Sequence, residues 1–116
     1  PTGKGIWPAF WLLPTDQSWP PEIDVMEVIG SSPNELNLTV HYGNNQATGF
    51  VVNETGMTTG FHTYGVDWES DYITWYYDGN AVAKTATPAS FSKRLRNSSE
   101  LAQPVILHAS VTLGQA

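Results

Sequence analysis

Apolar and polar residues alternate along short stretches of this chain, separated by clusters of Gly, Pro, Asn, Asp and Ser. A period of two is that of a half-buried strand, and such clusters supply turns. The pattern predicts strands over 5–13, 22–28, 36–42, 49–53, 60–69, 72–78, 80–86 and 104–113. Tyr77-Asp78-Gly79-Asn80 reads as a hairpin turn, because Asp-Gly accommodates positive φ. Glu69 to Asp71 reads as a second tight turn, and one helical turn is expected within Pro88 to Leu95. Eight short strands joined this way predict an all-β chain of two stacked antiparallel sheets. At 116 residues it is one domain at most. Residues 1–116 are expected to be the central part of a larger domain, because a sandwich lacking its outer strands would expose unpaired backbone.

One strand breaks the alternation. In Glu22-Ile23-Asp24-Val25-Met26-Glu27, Glu22 and Asp24 share a face, but Glu27 falls one residue late. A β-bulge with Val25 or Met26 as the extra residue returns Glu27 to the face of the other two acids. Carboxylates among Ile, Val and Met are costly unless something pairs or uses them, and no Lys or Arg stands nearby. Crowded carboxylates resist joint ionisation, so one of the three is expected to hold a proton near neutral pH.

The following strand folds back through Val28 to Glu35. That places Asn37 near Glu27, Thr39 near Asp24 and His41 near Glu22, all on the acid face. Asn37 and His41 are therefore candidates to bind hydroxyl groups or to tune a carboxylate. Trp7 and Trp11 share a face of the first strand and are candidate stacking residues. Trp68, Trp75 and His62 read as framework.

Composition narrows the partners. The net charge is −6, and only Lys4, Lys84, Lys93, Arg94 and Arg96 are cationic, which argues against nucleic acid. No amphipathic basic stretch or long apolar run points to a membrane. Cysteine is absent, so no disulfide or Cys-ligated metal is available. Five Trp and five Tyr suit both a β core and a carbohydrate cleft. Sequons at Asn37, Asn53 and Asn97 are taken as chance matches.

With its bulge residue, EIDVME resembles the active-site motif of glycoside hydrolase family 16, the laminarinase and β-glucanase family. GIWPAFWLLP, FHTYGVDWESDYITWYYDG and PVILHASVTLG resemble further family segments in the family's order. The resemblance implies a concanavalin-like antiparallel β-jelly-roll sandwich whose concave sheet lines an open cleft. It implies Glu22 as nucleophile, Glu27 as general acid/base, Asp24 as assisting carboxylate and Trp19 as a substrate-stacking aromatic. Acids at the two ends of such a row lie roughly 13 Å apart along the backbone. Retaining glycosidases hold their carboxyl groups about 5–5.5 Å apart, so long Glu side chains on a concave sheet must lean inward.

The resemblance further implies an endo-acting retaining β-glucanase on β-1,3 or mixed β-1,3/1,4 glucan. It implies no cofactor or metal for catalysis, with room for a structural Ca2+ in the full domain. A secreted monomer acting on polysaccharide is expected. The alternatives are a depolymerase of a bacterial, succinoglycan-type exopolysaccharide and a non-catalytic glucan-binding sandwich. The latter need not keep both Glu residues.

Overall fold

The computed structural model describes residues 2–91 and the backbone of 106–113. The chain forms β1 (Ile6–Leu13), β2 (Glu22–Glu27), β3 (Glu35–Tyr42), β4 (Gln46–Asn53), β5 (Tyr64–Trp68), β6 (Tyr72–Tyr77), β7 (Asn80–Ala86) and β8 (Ile106–Leu113). A five-stranded sheet has the order β4-β3-β2-β1-β8, and a three-stranded sheet the order β5-β6-β7. All ladders are antiparallel. Every expected strand is present.

Alternation explains the layers. Along β3, Leu36, Leu38 and Val40 are buried, while Asn37, Thr39 and His41 take the other face. Along β6, Ile73, Trp75 and Tyr77 point inward. These two rows join Ile23, Val28 and Phe91 in one core between the sheets. The acid face of β2 lies on the far side of the larger sheet from that core.

Two strand starts differ from expectation by three residues or more, each for a local reason. β4 begins at Gln46 rather than at 49, because Asn44 and Asn45 both adopt positive φ in a short turn that pairs Tyr42 with Gln46. Asn tolerates that conformation, and the ladder then starts before the apolar residues do. β5 begins at Tyr64 rather than at 60. The residues before it are held by side chains instead: His62 Nδ1 lies 2.8 Å from Asp78 Oδ2, and Thr63 N donates to Asp78 Oδ1 at 2.8 Å. His62 Nε2 faces the Gly56 carbonyl at 3.0 Å. The neighbouring carboxylate raises the His62 pKa, and the same contact lowers that of Asp78. His62 is thus a clip between a loop and the β6–β7 hairpin, in keeping with its reading as framework. At the hairpin tip Asp78 and Gly79 both have positive φ, as expected. Helical backbone begins at 89–91 within the expected turn, and 92–95 lie outside the described residues.

Gly30 closes the strand that carries the acids against the start of β1. Its N donates to Ile6 O at 2.8 Å and its O accepts from Gly3 N at 2.9 Å. A Cβ there would stand 2.3 Å from Gly3 O and 2.8 Å from Ile6 O, both backbone atoms. Gly30→Ala is expected to destabilise the fold by about 1–3 kcal/mol, the range for overpacking a site that cannot relax. Urea unfolding of the two proteins checks it, and equal midpoints would contradict it.

Candidate active site

β2 lies between β1 and β3, and both ladders record the bulge. β3 pairs His41 with Glu22, Thr39 with Asp24 and Asn37 with Glu27, so a single residue, Leu38, spans the interval between Asp24 and Glu27. β1 pairs Trp11 with Asp24 and Phe10 with Met26, which makes Val25 the extra residue. Met26 packs against the core, as its return to register requires. Glu22, Asp24 and Glu27 therefore stand in a row on one face, as the alternation required.

The row is wired to its neighbours. Trp19 Nε1 donates to Glu22 Oε2 at 2.8 Å, although the Trp19 side chain is half exposed. His41 Nε2 stands 2.9 Å from Asp24 Oδ2 and 3.8 Å from Glu22 Oε1. The His41 ring tilts against Trp19, with centroids 5.9 Å apart. At the other end, the Trp7 indole donates to the Glu27 carboxylate. Trp11, opposite Asp24, is half-buried. Asn37 is turned toward the backbone, its Nδ2 donating to Glu27 O at 3.3 Å and to Glu35 O at 3.4 Å. The structure thus brings Trp7, Trp11, Trp19, Asn37 and His41 to the acid row, with the amide nitrogen of Asn37 engaged by the chain itself.

Electrostatics follow from burial. Asp24 is only 3 % exposed. Its pKa is pushed up to about 8, first by desolvation, then by its hydrogen bond to Glu22 and the charges of Glu27 and Glu22. Asp24 therefore carries a proton at neutral pH and donates it toward Glu22. Its Oδ2 is then an acceptor, which sets an Nε2–H on His41. Desolvation also raises the Glu27 pKa, aided by the charge on Glu22 and opposed by the Trp7 hydrogen bond and by His41.

One contact was not foreseen. The indole Nε1 of Trp75, from the opposite sheet, donates to the backbone carbonyl of Asp24 at 2.9 Å. A Trp buried in mid-strand usually finds an acceptor for its N–H, and that was the available signal. The sequence alone does not say which acceptor.

Among the described residues, one set of potential metal-ligand side chains converges: Glu22, Asp24 and His41 have ligand atoms within 4.8 Å of one another. These atoms already bond one another, and a carboxyl group that keeps its proton is a poor ligand.

The sequence profile of Glycosyl hydrolases family 16 matches residues 1–112. The chain belongs to this family. It is 45% identical over 91 residues to the endo-1,3-1,4-beta-glycanase ExsH of Rhizobium meliloti (strain 1021), covering 77% of this chain and 20% of that protein. It superposes with a TM-score of 0.75 and 27% identity on the laminarinase catalytic domain of Thermotoga maritima, covering 100% of this chain and 50% of that one. A variant of SCLam, a non-specific endo-β-1,3(4)-glucanase of family GH16, holds 1,3-β-D-cellobiosyl-glucose at its active site. It aligns with a TM-score of 0.78 and 29% identity over 97% of this chain and 46% of that one. The family chain thus spans a fifth of the Rhizobium relative and half of the Thermotoga domain. Its two sheets are those of the jelly-roll laminarinases.

Proposed function

We propose that this chain carries the catalytic row of an endo-acting retaining β-glucanase that cuts β-1,3 or mixed β-1,3/1,4 glucan. The observation that supports it most is the bulge-set row Glu22, Asp24, Glu27, in which burial keeps a proton on Asp24. Membership of family 16 and likeness to endo-β-glucanases support the substrate class.

In this reading a Glu22 oxygen attacks the anomeric carbon as the bond to the glycosidic oxygen breaks. Glu27 gives its proton to that leaving oxygen, and a glycosyl ester on Glu22 forms. Water then attacks the same carbon, returns a proton to Glu27 and frees Glu22. The anomeric configuration is retained after the two inversions. Trp19 and His41 hold Glu22 in one orientation. The Asp24 proton spreads the negative charge that Glu22 carries before attack and takes up again on release. Trp7 and Trp19 each present an exposed indole face beside one end of the row, fit for stacking on sugar rings. No step calls for a metal or organic cofactor. We place the protein outside the cell, because a polymer of this kind is met there, and cell fractionation tests this.

The decisive experiment incubates the full-length protein with laminarin, with mixed-linkage β-glucan and with succinoglycan. Reducing ends and the anomer first formed are followed, the latter by proton NMR. β-Anomers from either glucan are expected. Initial α-anomers would overturn the retaining mechanism, and cleavage of succinoglycan alone would move the substrate to exopolysaccharide. Binding without cleavage of any polymer would leave a glucan-binding sandwich.

A further inference from the structure

A bulge leaves the ladder locally broken. Asp24 pairs with Thr39 and Trp11, and the next aligned pair toward β3 is Glu27 with Asn37. The Asp24 carbonyl leads into that gap. A buried carbonyl needs a donor, and a bulge disrupts the ladder that would ordinarily hold it. The donor here comes from the other layer, as the indole N–H of Trp75.

Trp75 is completely buried. Phe50 of β4 supports its ring at a centroid distance of 5.8 Å. β6 also has a register break at this residue. Trp75 pairs with Ala83 and Tyr76 with Ala81, so Val82 is extra in β7. The two sheets thus depart from regular pairing at facing points, and one hydrogen bond joins those points. Trp7, Trp11, Trp19, Asn37 and His41 approach the acids from β1, from β3 or from the loop before β2. Trp75 reaches them through the sheet.

We propose that Trp75 is a positioning residue for the acid row, its indole N–H fixing the bulge through the Asp24 carbonyl. The consequence is specific. Loss of the bulge would turn Glu27 off the acid face, because side chains alternate with a period of two. A smaller tilt at Asp24 would change its bond to Glu22. Indole is suited to the task because it is large enough to fill the core and carries a donor with no acceptor. Phenylalanine fills nearly the same space and lacks the donor.

This inference rests on the proposed glycoside hydrolysis for its kinetic readout only, and the test has a second readout that does not. In the full-length protein, Trp75→Phe is expected to lower kcat on β-glucan by roughly ten- to hundredfold, with KM within about twofold, as for a small misplacement of catalytic groups. Phe50→Leu disturbs the same packing and keeps the N–H, so it is expected to lower Tm with kcat nearly unchanged. Independently of activity, carbon-13 NMR is expected to show the Asp24 carboxyl titrating at a different pH in Trp75→Phe. In the unsubstituted protein, the Trp75 Nε1–H resonance is expected to be protected from exchange and to shift as Asp24 titrates. That measurement decides the matter if Trp75→Phe does not fold. A Trp75→Phe protein with unchanged kcat and unchanged Asp24 titration, whatever its Tm, would overturn the proposal. So would a Trp75 N–H that exchanges freely or ignores the Asp24 titration. If the unsubstituted protein cuts no polymer, hydrolysis fails as a reading, while the two NMR results still judge Trp75.

Discussion

Glu22→Gln is expected to lower turnover on β-glucan by about 10⁴-fold or more, the scale seen when a group central to covalent chemistry is removed. The amide keeps the shape of the side chain and its bond from Trp19, so Tm should change little. It cannot form the glycosyl ester. Glu27→Gln should look equally damaged on polysaccharide, where the leaving sugar oxygen needs a proton. The two variants part company on an aryl β-glycoside whose phenolate leaves without help. There Glu27→Gln should still release phenolate in a first burst and then stall as glycosyl-enzyme, because the base for the second step is gone. Glu22→Gln should release none. Mass spectrometry of the intact protein should find the sugar adduct only in Glu27→Gln. A burst from Glu22→Gln and none from Glu27→Gln would reverse the two roles.

Asp24→Asn should separate stability from activity. The folded protein keeps the Asp24 proton up to about pH 8, while an ordinary carboxyl loses it near 3.8. Between those values folding must take up a proton, and stability falls as pH rises. Below about pH 4 both states are protonated and the contribution is complete. The Asn variant has no proton to gain, so its Tm should overtake that of the parent as pH climbs through this window. A tenfold difference in proton affinity between the folded and unfolded chain corresponds to about 1.4 kcal/mol, so a gain of at least about 1 kcal/mol at pH 8 is expected. Turnover should nevertheless fall by about 10²-fold, the lower end for loss of an assisting proton. Scanning calorimetry from pH 4 to 9 checks the first part. Parallel Tm curves for the two proteins would show that Asp24 is ionised in the fold.

The acid row was legible because it violates a simple rule. Three acids at spacings of two and three cannot share a strand face without an extra residue, so Glu22-Asp24-Glu27 itself announces the bulge. The partners Asn37, Thr39 and His41 followed from folding one hairpin about its midpoint, and the ladder has them at those positions. Other features depend on contacts that no local pattern encodes. The choice of Val25 over Met26 as the extra residue depends on how β1 docks. The turning of the Asn37 amide toward backbone carbonyls depends on where the Glu27 and Glu35 carbonyls come to lie. The early start of β4 depends on an Asn-Asn turn rather than on apolar residues. Trp75 read only as core, because its acceptor belongs to a residue 51 positions away.

That separation has a consequence for the order of assembly. β1, β2 and β3 are consecutive neighbours, so Trp7, the three acids and His41 meet through short hairpin closures of low entropic cost. The link from Trp75 closes a far longer loop and cannot form until the second sheet arrives. During folding, the outline of the active site can therefore precede its final geometry. Burial on the acid face and the neighbouring Glu22 and Glu27 raise the Asp24 pKa from within its own sheet, whereas the hold on its carbonyl arrives only with the second layer, so the carboxyl groups are coupled before the bulge that carries them is fixed.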